Sequence, residues 1–122
     1  MKRDMDLVRS ILLEVEKNPA PDDVMQQLAV PGYETVMVHH HVELLANAGF
    51  LTAMERGVLY EWWPIALTWE GHEFLDSIRD PEIWQKTRKG ASAAGSWTLG
   101  ILKDLATAYA RINIQEVTGV TF

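Results

Sequence analysis

Three consecutive histidines, His39, His40 and His41, are the residues of this sequence best suited to bind a metal or move a proton. Imidazole titrates near neutral pH and is a common zinc ligand. Neighbouring helical positions point about 100° apart, so three in a row cannot converge on one ion. His39 and Glu43, at i and i+4, share a face and supply two ligands, whereas zinc takes three or four. His72 and Glu73 complete a set only if their own helix packs there. No metal site and no cofactor are therefore expected. No Ser-His-Asp ordering or glycine-rich phosphate loop is present, and the pairs Asp22-Asp23 and Glu14/Glu16 read as solvated helix charges. With no constellation of catalytic groups, an enzyme is not expected.

Two other clusters have chemistry within reach. Trp62, Trp63 and Trp69 would stack nucleobases if exposed, but tryptophan more often buries its large area, so a core position is expected. Gln85-Lys86-Thr87-Arg88-Lys89 is the densest basic stretch. Its cations either offset the dipole of the helix they end or meet phosphates.

The elements that must position these residues follow from periodicity. Leu7, Val8, Ile11, Leu12 and Val15 make the buried stripe of a helix over 5–17, with Asp4 as its N-cap. Asn18-Pro19-Ala20-Pro21 ends it. Asp22 and Asp23 start a short second helix through Val24, Met25 and Leu28, a segment brief enough to fit a strand as well. After the Pro31-Gly32 turn, Val38, His41, Val42 and Leu45 line one face of a third helix, from about Glu34 to Ala48. Gly49 stops it by accepting a left-handed backbone. His41 falls on the core side, whereas His39, His40, Glu43 and Asn47 face outward.

Residues 50–54 and 58–68 alternate as two strands of a hairpin closed by Glu55-Arg56-Gly57, with Tyr60 and Trp62 on one face and Leu59 and Trp63 on the other. Pro64 belongs at an edge or bulge. Thr68 caps a helix from Trp69 to about Arg79 whose inward residues are Phe74, Leu75 and Ile78, and Asp80-Pro81-Glu82 starts another over 81–89. Gly90 to Gly95 reads as a linker. Beyond it, Trp97, Ile101, Leu102, Leu105, Tyr109 and Ile112 form the stripe of an amphipathic helix, and 113–122 read as an extended arm. The expected fold is mainly α with a small β-hairpin: a winged helix-turn-helix domain over 1–89, then a linker, helix and arm over 90–122. That last helix needs a covering surface, supplied by a second copy in a homodimer or by packing on the winged core.

Bulk properties narrow the partners. The chain has 122 residues, 48% of them hydrophobic, which suits one compact core. Its formal net charge is -6, unevenly spread: residues 1–80 hold 6 basic and 14 acidic side chains, residues 81–122 hold 5 and 3. A polyanion would be drawn to the C-terminal part or to Lys2, Arg3 and Arg9. With no cysteine, disulfides and thiolate sites are excluded. No apolar run suits a signal peptide or a membrane span, so a cytoplasmic protein is expected.

Met1-Lys2-Arg3-Asp4-Met5-Asp6-Leu7-Val8-Arg9, the stretch His41 to Gly49, and Leu67-Thr68-Trp69-Glu70-Gly71-His72-Glu73-Phe74-Leu75-Asp76 together resemble a family of small phage and bacterial proteins carried as a domain of unknown function. That resemblance extends through Ile78-Arg79-Asp80 to Trp84, Lys86 and Thr87, and implies a winged-helix protein often found in prophages, with no assigned activity. More loosely, Val38, His41, Val42, Leu45 and Gly49 resemble the third helix of small bacterial winged-helix repressors. The chain departs from those repressors in a longer turn between Leu28 and Val38, and in lacking a basic outward face. The first functional expectation is a DNA-binding or transcription-related accessory protein. Double-stranded DNA would meet His39, His40, Glu43, Asn47, Arg56, Lys86, Arg88 and Lys89, and Trp97, Ile101, Leu102, Leu105, Tyr109 and Ile112 would join a homodimer. The second is a winged-helix module that binds a host or phage protein and no DNA.

Overall fold

The computed structural model describes residues 2–19, 28–56 and 61–119. Five α-helices and one antiparallel hairpin appear among them, a mainly α fold with a small β element. In chain order these are α1 (Met5–Glu16), α2 (Thr35–Asn47), β1 (Leu51–Arg56), β2 (Glu61–Leu67), α3 (Trp69–Ile78), α4 (Pro81–Ala94) and α5 (Leu99–Thr118). Two compact units divide the chain after Leu75, within α3, so the second unit holds the last residues of α3 with α4 and α5. The short helix expected through Val24 and Met25 lies outside the described residues, and Leu28 is not helical.

The first unit is built on α1 and α2, which pack on each other and on the hairpin. Leu7, Val8, Ile11, Leu12 and Val15 of α1 are buried, as are Val38, His41, Val42 and Leu45 of α2. Asp4 caps α1, its Oδ1 accepting from the Leu7 amide at 3.1 Å. α2 ends in a left-handed turn: Gly49 has φ 84°, its amide donates to Ala46 O at 3.1 Å, and the Phe50 amide donates to Leu45 O at 3.0 Å. Those two bonds satisfy carbonyls that the end of the helix would leave unpaired. Leu45 is 2% exposed. Leu45→Ala is therefore expected to destabilise the protein by about 2–5 kcal/mol, read from urea denaturation.

In the hairpin, Leu51 pairs with Leu67 and Thr52 with Ala66, but Ala53 pairs with Pro64. Ile65 is thus the extra residue of a bulge beside the proline, which has no amide to give to a ladder. The Ile65 carbonyl accepts instead from Asn18 Nδ2 at 2.8 Å, which ties the end of α1 to β2. β1 runs two residues further than its alternation predicts. Glu55 and Arg56, expected in the turn, belong to β1, with Arg56 opposite Glu61, and Gly57 lies outside the described residues. Leu59 and Tyr60 lie outside the described residues.

Thr68 starts α3 as expected: its Oγ1 accepts from the Gly71 amide at 3.1 Å and donates to Gly49 O at 2.6 Å. Phe74, Leu75 and Ile78 are buried. Phe74 meets Phe50 with ring centroids 5.4 Å apart.

The second unit departs most from the sequence reading. Asp80 caps α4 through Glu82 and Ile83, with Pro81 at its first position, but the helix continues to Ala94 instead of stopping at 89. Gly90-Ala91-Ser92-Ala93-Ala94 is therefore helix, not linker. Its small residues let α5 approach. A Cβ on Gly90 would lie 2.9 Å from the Tyr109 hydroxyl and 3.2 Å from Leu105, and Ala91 is fully buried. α5 also outruns the expected stripe, staying helical to Thr118 where an extended arm was expected from 113. The β-branched residues there do not stop it, because a helix already nucleated needs only one bond per added residue.

Candidate functional site

His41 is fully buried. Its Nε2 accepts from the Asp4 amide at 2.8 Å, so the ring proton sits on Nδ1, which donates to the Met37 carbonyl at 2.9 Å. The Asp4 carboxylate holds the same corner together, Oδ1 on the Leu7 amide and Oδ2 accepting from the Tyr33 hydroxyl at 3.1 Å. One imidazole thus joins the start of α1 to the middle of α2, with both ring nitrogens occupied. The role is architectural.

His39 does not project outward as expected. Its Nδ1 lies 3.1 Å from the Trp62 amide that donates to it, and 3.0 Å from the Trp62 carbonyl. A ring nitrogen held against β2 is not offered to a DNA base. His40 is half-buried and meets His41 edge-on, centroids 5.8 Å apart. Glu43 is half-buried, and Asn47 is exposed. With Val36, 61% exposed, the residues His40, Glu43 and Asn47 follow helical spacing down the solvent side of α2. That face carries a carboxylate and no cation. Among the described residues no three His, Cys, Asp or Glu side chains converge to hold a metal.

The tryptophans also differ from expectation. Trp62 and Trp63 are half-buried and Trp69 is 76% exposed, so the three do not form a core. Trp63 Nε1 donates to Glu61 Oε2 at 3.2 Å. Trp62 Nε1 is buried without an acceptor among the described residues. The expectation rested on the large area of an indole, which does not say what covers the ring, so it overstated their burial.

In the second unit the basic run separates. Lys86 turns to Glu82, Nζ to Oε1 3.6 Å, an exposed i, i+4 pair. Arg88 and Lys89 lie instead along one face of α4 with Gln85 and Ser92, and together with Trp97 these line an open groove of about 310 Å³. Sequence reasoning placed Trp97 in a dimer stripe and missed this grouping. The i, i+3, i+4, i+7 spacing of 85, 88, 89 and 92 was the available signal. Of the remaining stripe, Leu102 is fully buried and Leu105 and Tyr109 lie against Gly90 of α4, so much of that apolar face is covered within the unit. Ile101 is half-buried, and Ile112 stays 49% exposed.

Residues 2–97 match the model of the family described as "Hypothetical protein (DUF2513)". The chain belongs to this family. The DUF2513 match spans α1 to the end of α4 and leaves α5 beyond it. An "Uncharacterized protein" of Haemophilus influenzae (strain Rd) is 38% identical over 90 residues, 72% of this chain and 76% of that protein. No solved structure matches the chain. The Asp4 and Tyr33 corner, the Gly49 turn and the Thr68-Gly71 junction all fall inside the DUF2513 match. No helix among the described residues is long and apolar enough to cross a membrane.

Proposed function

We propose that this member of the DUF2513 family is a winged-helix module of phage or prophage origin that docks a protein partner through the solvent face of α2. In this reading α2 stands where a winged helix carries its recognition helix, and the β1-β2 hairpin that follows it is the wing. Phage or prophage origin is supported by the resemblance carried by the Met1–Arg9 opening and the Leu67–Asp76 stretch. One observation carries the docking reading: Val36, His40, Glu43 and Asn47 offer an apolar residue and a carboxylate where DNA readers place cations. The partner would present an apolar contact ringed by basic residues.

A photoreactive amino acid at Asn47 should crosslink the same single protein in repeated preparations, and Glu43→Lys should abolish that crosslink. An unchanged crosslink with Glu43→Lys would overturn the reading. The second reading is binding to double-stranded DNA, favoured by the basic residues of α4 and by Arg56 at the end of β1. If mixed duplex binds at low salt and both Asn47→Ala and Arg56→Gln weaken it, the DNA reading replaces the docking one.

A homodimer is also proposed, now through the distal part of α5. Ile112, Ile114 and Val117 are 49%, 42% and 76% exposed there, and burying them is the expected gain from a second copy. Sedimentation should give a dimer that Ile114→Glu with Val117→Glu converts to monomer. A wild-type monomer at high concentration would refute it.

A further inference from the structure

We propose that the second unit takes one nucleotide of a single-stranded nucleic acid in the groove beside α4, its base stacked on Trp97 and its phosphate held by Arg88 and Lys89. This site is separate from the face of α2, and either can fail without the other.

The groove has a definite construction. Gln85, Arg88, Lys89 and Ser92 recur at i, i+3, i+4 and i+7 of α4 and so share one face. Trp97 is set beside them by a connection fixed at both ends. On one side Gly95 takes φ 69°, its amide donating to Ser92 O at 3.2 Å while the Ser96 amide donates to Ala91 O at 3.1 Å. On the other, Thr98 caps α5, its Oγ1 accepting from the Ile101 amide at 3.2 Å. Trp97 is 38% exposed, so the indole keeps accessible surface although the backbone around it is ordered by these bonds.

The chemistry of the lining selects the ligand. A simple anion would use the two cations and leave the indole idle. An apolar segment would use the indole but cover the charge of Lys89 without offering it an anion. A nucleotide uses both, because every base has a π-face to stack and every link carries a phosphate. Gln85 and Ser92 add neutral donors and acceptors for sugar or base edges. The volume of about 310 Å³ lies at the low end of the ~300–1,000 Å³ range of ligand sites, which suits one nucleotide unit. The groove is open rather than enclosed, so a strand can cross it and continue on either side. Long-range charge agrees: residues 81–122 hold 5 basic and 3 acidic side chains, whereas residues 1–80 are strongly acidic.

The test is fluorescence anisotropy of a labelled oligothymidylate of about ten nucleotides with the full chain at low salt. Binding is expected, weakened about tenfold or more by Trp97→Ala and restored by Trp97→Phe, which keeps a stacking ring. Arg88→Gln with Lys89→Gln should weaken binding and flatten the salt dependence, each lost phosphate contact lowering the slope by about 0.7. Asn113→Ala, at an exposed position of α5, should leave the binding unchanged. Circular dichroism on each variant separates lost binding from lost fold. The proposal is overturned by an absence of binding at low salt, by full binding in Trp97→Ala, or by an unaltered salt slope in the double variant.

Discussion

Gly71→Ala is expected to be among the most damaging single substitutions in the protein, costing on the order of 3 kcal/mol or more and exposing apolar surface at ambient temperature. Gly71 is buried in the first turn of α3, and a Cβ there would collide with the Phe50 carbonyl oxygen. That is a collision with backbone, which cannot swing aside as a side chain can. Nor is the carbonyl free to retreat, since it accepts from the Thr68 amide at 3.2 Å. Thr68 in turn binds Gly49 O and the Gly71 amide, so the end of α2 and the start of α3 are locked at one corner. A methyl group must break that corner or push α3 off the hairpin. The measurement is urea denaturation of Gly71→Ala beside Gly100→Ala, a helical glycine whose Cβ would meet nothing within 4 Å. Gly100→Ala should be neutral or stabilising, because alanine is the better helix former. Equal stability of the two variants would remove the steric account.

These two glycines mark the limit of what the sequence could disclose. Apolar stripes of α1 and α2, the caps at Asp4, Thr68 and Asp80, and the turn at Gly49 were all legible, because each depends on residues within one turn of one another. The Gly90–Gly95 stretch was not. Small residues in series look the same whether they free a chain or let a second helix come close, and only Leu105 and Tyr109, well downstream, tell the two apart. The tryptophans were misread for a related reason. Their burial was expected from the area of an indole, which says nothing of what covers it, and Trp69 at the start of α3 stays 76% exposed. For the candidate sites, periodicity identified the outward residues of α2 but not the bond that turns His39 onto β2. The α4 groove lay hidden because Trp97 follows a helix that the composition had ended too early.

His41→Leu is the second substitution expected to cost heavily, about 2–4 kcal/mol, although leucine is similar in size and apolar. The sequence alone invites that exchange, since His41 shares its stripe with Val38, Val42 and Leu45. The structure argues against it. His41 Nε2 is the acceptor for the Asp4 amide, and Asp4 is the N-cap of α1, with its carboxylate bound to the Leu7 amide and the Tyr33 hydroxyl. Leucine offers no acceptor, so the Asp4 amide loses its partner in a part-buried position, and the cap it steadies loosens with it. The Met37 carbonyl is affected less, because an α-helical carbonyl at that position also receives the amide four residues on. His41→Gln should therefore do better than His41→Leu, since an amide oxygen on a longer side chain can still accept from Asp4. Asp4→Ala tests the same corner from the other side. If the two residues act as one unit, the double variant His41→Leu/Asp4→Ala should lose less stability than the single losses add up to. Strict additivity in that cycle would show that the carboxylate cap and the bond from the Asp4 backbone amide to His41, which Asp4→Ala leaves in place, stabilise the protein independently.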